Sequence, residues 1–164
     1  MISDDIVRAS SSRAPEAGPA ASALALVAHK PGLSIRMLSA GVGLSHAGTV
    51  RLVDRLATEG LIERREHSTD GRTRSLYLTS TGKVASDEVL ASRDQVIAEG
   101  LSILKPGELK VLCAIAERVL RNRLENLEHS FRICRLCCYE GCTNCPIDAE
   151  LRERGVDREK YGEA

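Results

Sequence analysis

Five of the six cysteines of this chain fall inside twelve residues, Cys134-Arg-Leu-Cys137-Cys138-Tyr-Glu-Gly-Cys142-Thr-Asn-Cys145, with Pro146 directly after them. Two C-x-x-C pairs, Cys134/Cys137 and Cys142/Cys145, can bring four thiolates onto one tight loop, and a tetrahedral metal or a cuboidal cluster needs that donor set. A disulfide network is the rival reading. The N-terminus, Met1-Ile-Ser-Asp-Asp, has no basic start and no apolar run, so no secretory signal is expected and the compartment is read as reducing and cytoplasmic.

The spacing also bears on the metal. Structural zinc draws its two pairs from places typically more than ~10 residues apart, whereas iron–sulfur ligands crowd together and a proline often follows the last cysteine. An all-cysteine set suits both. The reading favours a [4Fe-4S] cluster, with zinc as the alternative, on Cys134, Cys137, Cys142 and Cys145. Cys138 is an alternative to Cys137, because C-x-x-x-C spacings lie on both sides of it. The sixth cysteine, Cys113, reads as a small core residue rather than a sensor thiol. His129 is the only histidine close to the cluster; His46 and His67 read as phosphate neighbours or solvent-exposed groups.

The elements that must position this loop follow from composition and pattern. At 164 residues and 43% apolar content the chain can build about one modest core, and with three Tyr, one Phe and no Trp that core is aliphatic, which favours helices over sheets. No stretch is long and apolar enough to cross a membrane. The formal net charge is zero, but its distribution is uneven. Residues 34–83 hold eight Lys or Arg against five acids, while residues from 84 onward hold twelve against fifteen. A basic module is joined to a mildly acidic one, as expected if one end faces phosphate and the other protein.

Residues 1–18, rich in Ser, Ala, Pro and Gly, read as a mobile segment. An apolar helix over 20–28 stops at Lys30-Pro31-Gly32, and Ser34 caps a short helix over 35–40. Gly41-Val42-Gly43 forms a turn, and Ser45 caps a helix over 46–59 that Gly60 ends. Residues 61–65 and 75–78 alternate as strands, with hairpin turn chemistry at Ser68-Thr69-Asp70-Gly71. Helix, turn, helix and hairpin make a winged helix. Thr79 or Ser80 then caps a helix to about Leu104, Lys105-Pro106-Gly107 breaks it, and a long amphipathic helix is predicted over 108–131. Its stripe of Leu109, Leu112, Ala116, Val119, Leu120, Leu127 and Phe131 exceeds what the small core can cover, which assigns part of it to a dimer interface. The fold class is therefore mainly α with a small β-wing (α+β). It divides into a mobile segment (1–18), a winged-helix DNA-binding domain (19–83), a helical dimerisation region (84–131) and a cysteine-rich metal-binding segment (132–164).

The ordered set Leu44-Ser-His-Ala-Gly-Thr-Val-Arg-Leu-Val-Asp-Arg-Leu56, Glu59-Gly-Leu-Ile-Glu-Arg-Arg65, Asp70-Gly-Arg72 and Leu78-Thr-Ser-Thr-Gly82 resembles the successive signatures of the MarR family of winged-helix transcription regulators. The resemblance runs from about residue 22 to 130. It implies a homodimer built from the terminal helices, a recognition helix in the major groove of an operator duplex and a wing in the minor groove. The cysteine cluster lies outside the common pattern of that family.

The residues of the 46–59 helix agree with this. Val50, Leu52, Val53 and Leu56 serve the core, while Ser45, His46, Gly48, Thr49, Arg51 and Arg55 project elsewhere. Small residues at the helix start let backbone approach DNA, and the free N–H groups there suit phosphate. Arg51 is the first choice for a base-edge contact, since a guanidinium can bond guanine through two acceptors. Arg72 suits the narrow minor groove, with Asp70 orienting the turn. Arg74 and Arg64 are weaker candidates for phosphate, and solvation or pairing with Asp54 and Glu63 is an equal alternative for Arg55 and Arg64.

No phosphate loop, nucleophile elbow or H-E-x-x-H motif is present, so catalysis is not expected. The expectation is a homodimeric DNA-binding regulator whose cysteine-held centre senses iron, redox state or an oxidant by fixing the helix ends and hence the half-site spacing. The alternatives are the same regulator with purely structural zinc, or a winged-helix adaptor or small electron carrier.

Overall fold

A computed structural model describes residues 5, 6, 8, 18–66, 74–138, 142 and 144–156. The first helix, α1 (Pro19–His29), has Pro19 in its opening turn, and residues Ala20 to Val27 are all buried. A helix apolar on every side belongs at the centre, and α1 is packed against by most of the domain. A two-residue strand, β1 (Leu33–Ser34), leads into α2 (Ile35–Val42). Ser34 Oγ accepts from Met37 N at 3.3 Å and caps it.

The turn at Gly43 carries the chain into α3 (His46–Thr58), capped by Ser45 Oγ accepting from Gly48 N at 3.1 Å. Leu52, Val53 and Leu56 are buried in the core, while Val50 is only half-buried. The wing strands β2 (Ile62–Glu66) and β3 (Arg74–Leu78) pair antiparallel, Ile62 opposite Leu78 and Arg65 opposite Ser75. β1 adds to the other side of β3, with Leu33 opposite Leu76, so the sheet order is β1-β3-β2. Too short to alternate visibly, β1 leaves no period-two signal in the sequence. The predicted hairpin turn lies outside the described residues.

Helix α4 (Ser80–Leu101) begins at a tight junction. Thr79 Oγ1 donates to Gly60 O at 2.6 Å and accepts from Gly82 N at 3.0 Å, while Thr79 N donates to Leu61 O at 3.1 Å. A Cβ on Gly82 would lie 1.9 Å from Leu61 O. The Leu-Thr-Ser-Thr-Gly run is thus the joint that ties the wing to α4. Pro106 opens α5 (Pro106–Arg123), and Glu108 Oε2 accepts from Lys105 N at 2.8 Å.

The long helix predicted over 108–131 is two helices. Leu124 turns to an extended conformation, and Asn126 Oδ1 accepts from His129 N at 2.8 Å to start α6 (Leu127–Ile133). Leu127 and Phe131, read on one face with Leu109, Leu112 and Val119, are buried in the core with Leu124. A Cβ on Gly41 would come 2.5 Å from Leu26 Cδ1 and 3.4 Å from Phe131 Cβ, so α2 admits α1 and α6 at its one side-chain-free position. That places Gly41 inside α2 rather than in the turn. Val111, Ile115 and Val119 of α5 are more than half exposed, and no residue of α5 is buried in the single chain. Cys113, expected in a core, is exposed for the same reason. A last helix, α7 (Pro146–Glu153), follows the cysteines and buries Ile147 and Leu151.

Candidate nucleic-acid interface and cysteine loop

Two sites emerge. On α3, Ser45 is occupied as the N-cap, His46 and Arg51 are exposed and Gly48 is half-exposed. Arg51 Nε donates back to Ala47 O at 3.3 Å, and Arg55 is exposed one turn on. Thr49 departs from the expectation: it is fully buried, and its Oγ1 donates to Ser45 O at 3.0 Å. Its position between Leu52 and Val53 on the helical wheel turns it inward, so it supports the helix start and cannot meet DNA. Arg51 and Arg55 rim an open groove floored by Ala20, Leu44 and Leu52.

On the wing, Arg72 and Asp70 lie outside the described residues. Arg74 stands in β3 opposite Glu66. Arg64 ion-pairs with Asp54 of α3 at 2.7 Å, which braces the wing against α3. The Arg65 guanidinium lies 4.4 Å over the Tyr77 ring and pairs with Glu63.

The cysteine loop joins α6 to α7. Cys134 is the C-cap of α6 and is buried; Cys145 is the N-cap of α7; Cys137, Cys138 and Cys142 are half-buried. A hydrogen bond from Cys134 draws the Cys137 thiol below its usual value, against burial and the nearby Cys142 and Cys145 sulfurs. The hydrogen bond to Cys134, with burial, pushes the Cys145 thiol up. Cys134 thus hydrogen-bonds to both Cys137 and Cys145, and Cys142 lies near enough to Cys137 to act on its charge. Among the described residues, no three His, Cys, Asp or Glu side chains are placed so as to hold a metal ion as the chain stands. His129 is engaged locally, its Nδ1 accepting from Glu125 N at 3.3 Å. Pro146 has a local role too, since it occupies the first turn of α7, where its missing N–H and fixed φ fit a helix start.

Three ties hold the loop. Arg93 of α4 donates to Leu136 O, between Cys134 and Cys137. Arg121 of α5 donates through Nε to Glu150 Oε2 at 2.8 Å and pairs with Glu153. Arg154 donates through Nη1 to Leu124 O at 2.8 Å and through Nε to Glu150 Oε1 at 2.9 Å. Sequence reasoning missed α7 and these ties. Proline in the first turn, Asp148 close behind it and apolar Ile147 and Leu151 four apart were a readable helix signal.

The helix-turn-helix, the three-stranded wing and the exposed basic face of α3 define a winged-helix protein of the kind that reads duplex DNA. Residues 17–73 match the family model described as MarR family. Over 101 residues the chain is 30% identical to the HTH-type transcriptional regulator BilQ of Clostridium symbiosum, covering 62% of this chain and 70% of that protein. It is 34% identical over 91 residues to the transcriptional repressor MprA of Escherichia coli, covering 56% of this chain and about half, 51%, of MprA. A MarR family regulator from Silicibacter pomeroyi superposes with a TM-score of 0.60 at 21% identity, over 76% of this chain and 84% of that one. The chain belongs to the MarR family of winged-helix regulators. Its cysteine loop lies beyond the residues matched to the family model.

Proposed function

We propose that this chain acts as a homodimeric, DNA-binding transcriptional regulator controlled by a metal centre held by Cys134, Cys137, Cys142 and Cys145. The helix-turn-helix supports the DNA reading: Ser45 leaves the start of α3 capped, and Arg51, Arg55 and His46 face outward around it. Arg51 is the base-reading residue, with backbone N–H groups at the helix start and Arg74 on phosphate. The dimer reading is supported by α5, whose Val111, Leu112, Ile115 and Val119 form an uncovered apolar face.

What carries the metal reading is the pair of C-x-x-C motifs on one short loop, with Cys134 hydrogen-bonded to both Cys137 and Cys145. The donor set is all sulfur, which suits an iron–sulfur cluster or zinc and little else. When bound, an iron–sulfur cluster supplies an oxidant-labile redox group; zinc supplies a fixed crosslink. The compact ligand spacing favours a [4Fe-4S] cluster. Zinc is the second reading, because Pro146 is accounted for as the start of α7 and so no longer speaks for iron–sulfur.

Protein purified without oxygen is expected to carry iron and acid-labile sulfide and to absorb near-visible light, and to bind operator DNA with an affinity that falls steeply with salt. Colourless protein with stoichiometric zinc would select the second reading; metal-free protein would end both. Salt-independent or undetectable DNA binding would leave the adaptor or electron-carrier reading.

A further inference from the structure

We propose that α6, the cysteine loop and α7 form a clamp joining the helix-turn-helix to α5, so that closing the loop on a metal sets the attitude of α5 relative to the DNA-reading helices. The inference rests on the metal reading above and names the path by which that site acts. One arm of the clamp is α6, which lies on α2: Phe131 sits against Gly41, and Arg36 pairs with Glu128 at 3.6 Å. The other arm is α7, which lies on α5: Arg121 binds Glu150 and Glu153, and Arg154 holds the Leu124 carbonyl at the α5–α6 break. Cys134 ends the first arm and Cys145 begins the second. A crosslink between them therefore fastens two helices that touch different parts of the molecule.

The arms also share a core. Phe131 and Cys134 of α6 and Ile147 and Leu151 of α7 are buried in one apolar cluster with Leu124, continuous with Leu26 and Leu38 of the winged helix. Packed interiors do not deform smoothly, so a shift of one arm is passed to the other. Arg93 adds a third contact, fixing the loop itself to α4 through the Leu136 carbonyl. Without the Arg121 network, α7 would keep its buried Ile147 and Leu151 and the Arg154 contact to the Leu124 carbonyl but would lose its side-chain grip on α5. The clamp would be open at one jaw while the thiols stayed intact.

The test compares full-length wild type with the double variant Arg121→Met, Glu150→Gln, neither residue being a metal ligand or a DNA contact. In metal-free reduced protein, amide exchange in the variant is expected to rise in α7 and also in α6 and α2; a rise confined to α7 would overturn the clamp whether or not metal binds. In anaerobically reconstituted protein, both forms are expected to hold the same metal content. Loading is expected to change wild-type operator affinity by about tenfold, a usual size for coupling between two sites, and the variant's by far less. A loaded variant that keeps the full wild-type change overturns the clamp. A wild type that takes up no metal overturns the metal reading instead, and the exchange comparison still decides the mechanical link.

Discussion

Arg51 and Thr49 sit two residues apart on α3 and have opposite fates, one exposed and the other fully buried. If Arg51 reads a base edge, Arg51→Ala is expected to cost about 1–3 kcal/mol of operator binding and to relax preference at one base pair. Fluorescence anisotropy on operator and single-mismatch duplexes checks this, and an unchanged preference with weaker binding would make Arg51 a phosphate contact. Thr49→Ala is expected to act on stability rather than on DNA contact. Gly82 makes the sharpest residue-level prediction about the fold. Its Cβ would overlap Leu61 O at 1.9 Å, and that atom is backbone, so Gly82→Ala is expected to destabilise by about 2–3 kcal/mol through a forced shift of the wing. A melting temperature within a degree of wild type would contradict the close approach.

Elements decide how the cysteine loop is held. Phe131 is the largest side chain among those fully buried, and it joins α6 to α2; Phe131→Ala is expected to cost about 3–5 kcal/mol in chemical denaturation. The α5–α7 tie has a pH signature. Arg121 first, and then Arg154, hold the Glu150 carboxyl below its ordinary value of 4.5. A lowered carboxyl contributes stability that is complete above the ordinary value and disappears as pH falls through the lowered one. Opening of α7, read as amide exchange divided by the intrinsic rate at each pH, is therefore expected to be constant near neutrality and to accelerate below about pH 4.5, and Glu150→Gln should remove that dependence. An acceleration that survives in Glu150→Gln would assign it to another group. The pairs are exposed enough for salt to screen them, so the effect belongs at low ionic strength.

At the scale of the whole molecule, α5 is the feature that a single chain leaves unfinished. Val111, Ile115 and Val119 are more than half exposed on a helix with no buried residue, and a surface of that kind asks for a partner. Ile115→Glu is expected to shift the protein from dimer to monomer in light scattering and to weaken operator binding far more than it alters the monomer's fold. Dimeric Ile115→Glu protein would move the interface elsewhere.

Local order was legible along the chain. Ser34 and Ser45 cap where their short polar side chains and the following periodicity said they would, and of Thr79 and Ser80 it is Thr79 that caps, because a cap depends on neighbours within one turn. The wing strands and the break at Lys105-Pro106 are likewise products of nearby residues. Cys134 meets Cys137 and Cys145 because the two C-x-x-C pairs lie on one short loop. What the chain could not disclose was direction in three dimensions. One apolar stripe over 108–131 reads as a single helix face, yet its Leu127 and Phe131 turn into the core while its Leu109, Leu112 and Val119 do not. Thr49 and Val50 depart from their expected surroundings for the same reason, and α7 is held by partners far along the chain, Arg121 being 29 residues from Glu150. Periodicity states which residues share a face; only packing among distant segments states what that face meets. Sequence alone thus determined the winged helix and its caps, and the tertiary structure decided that the cysteine loop stands between α6, packed on α2, and α7, packed on α5.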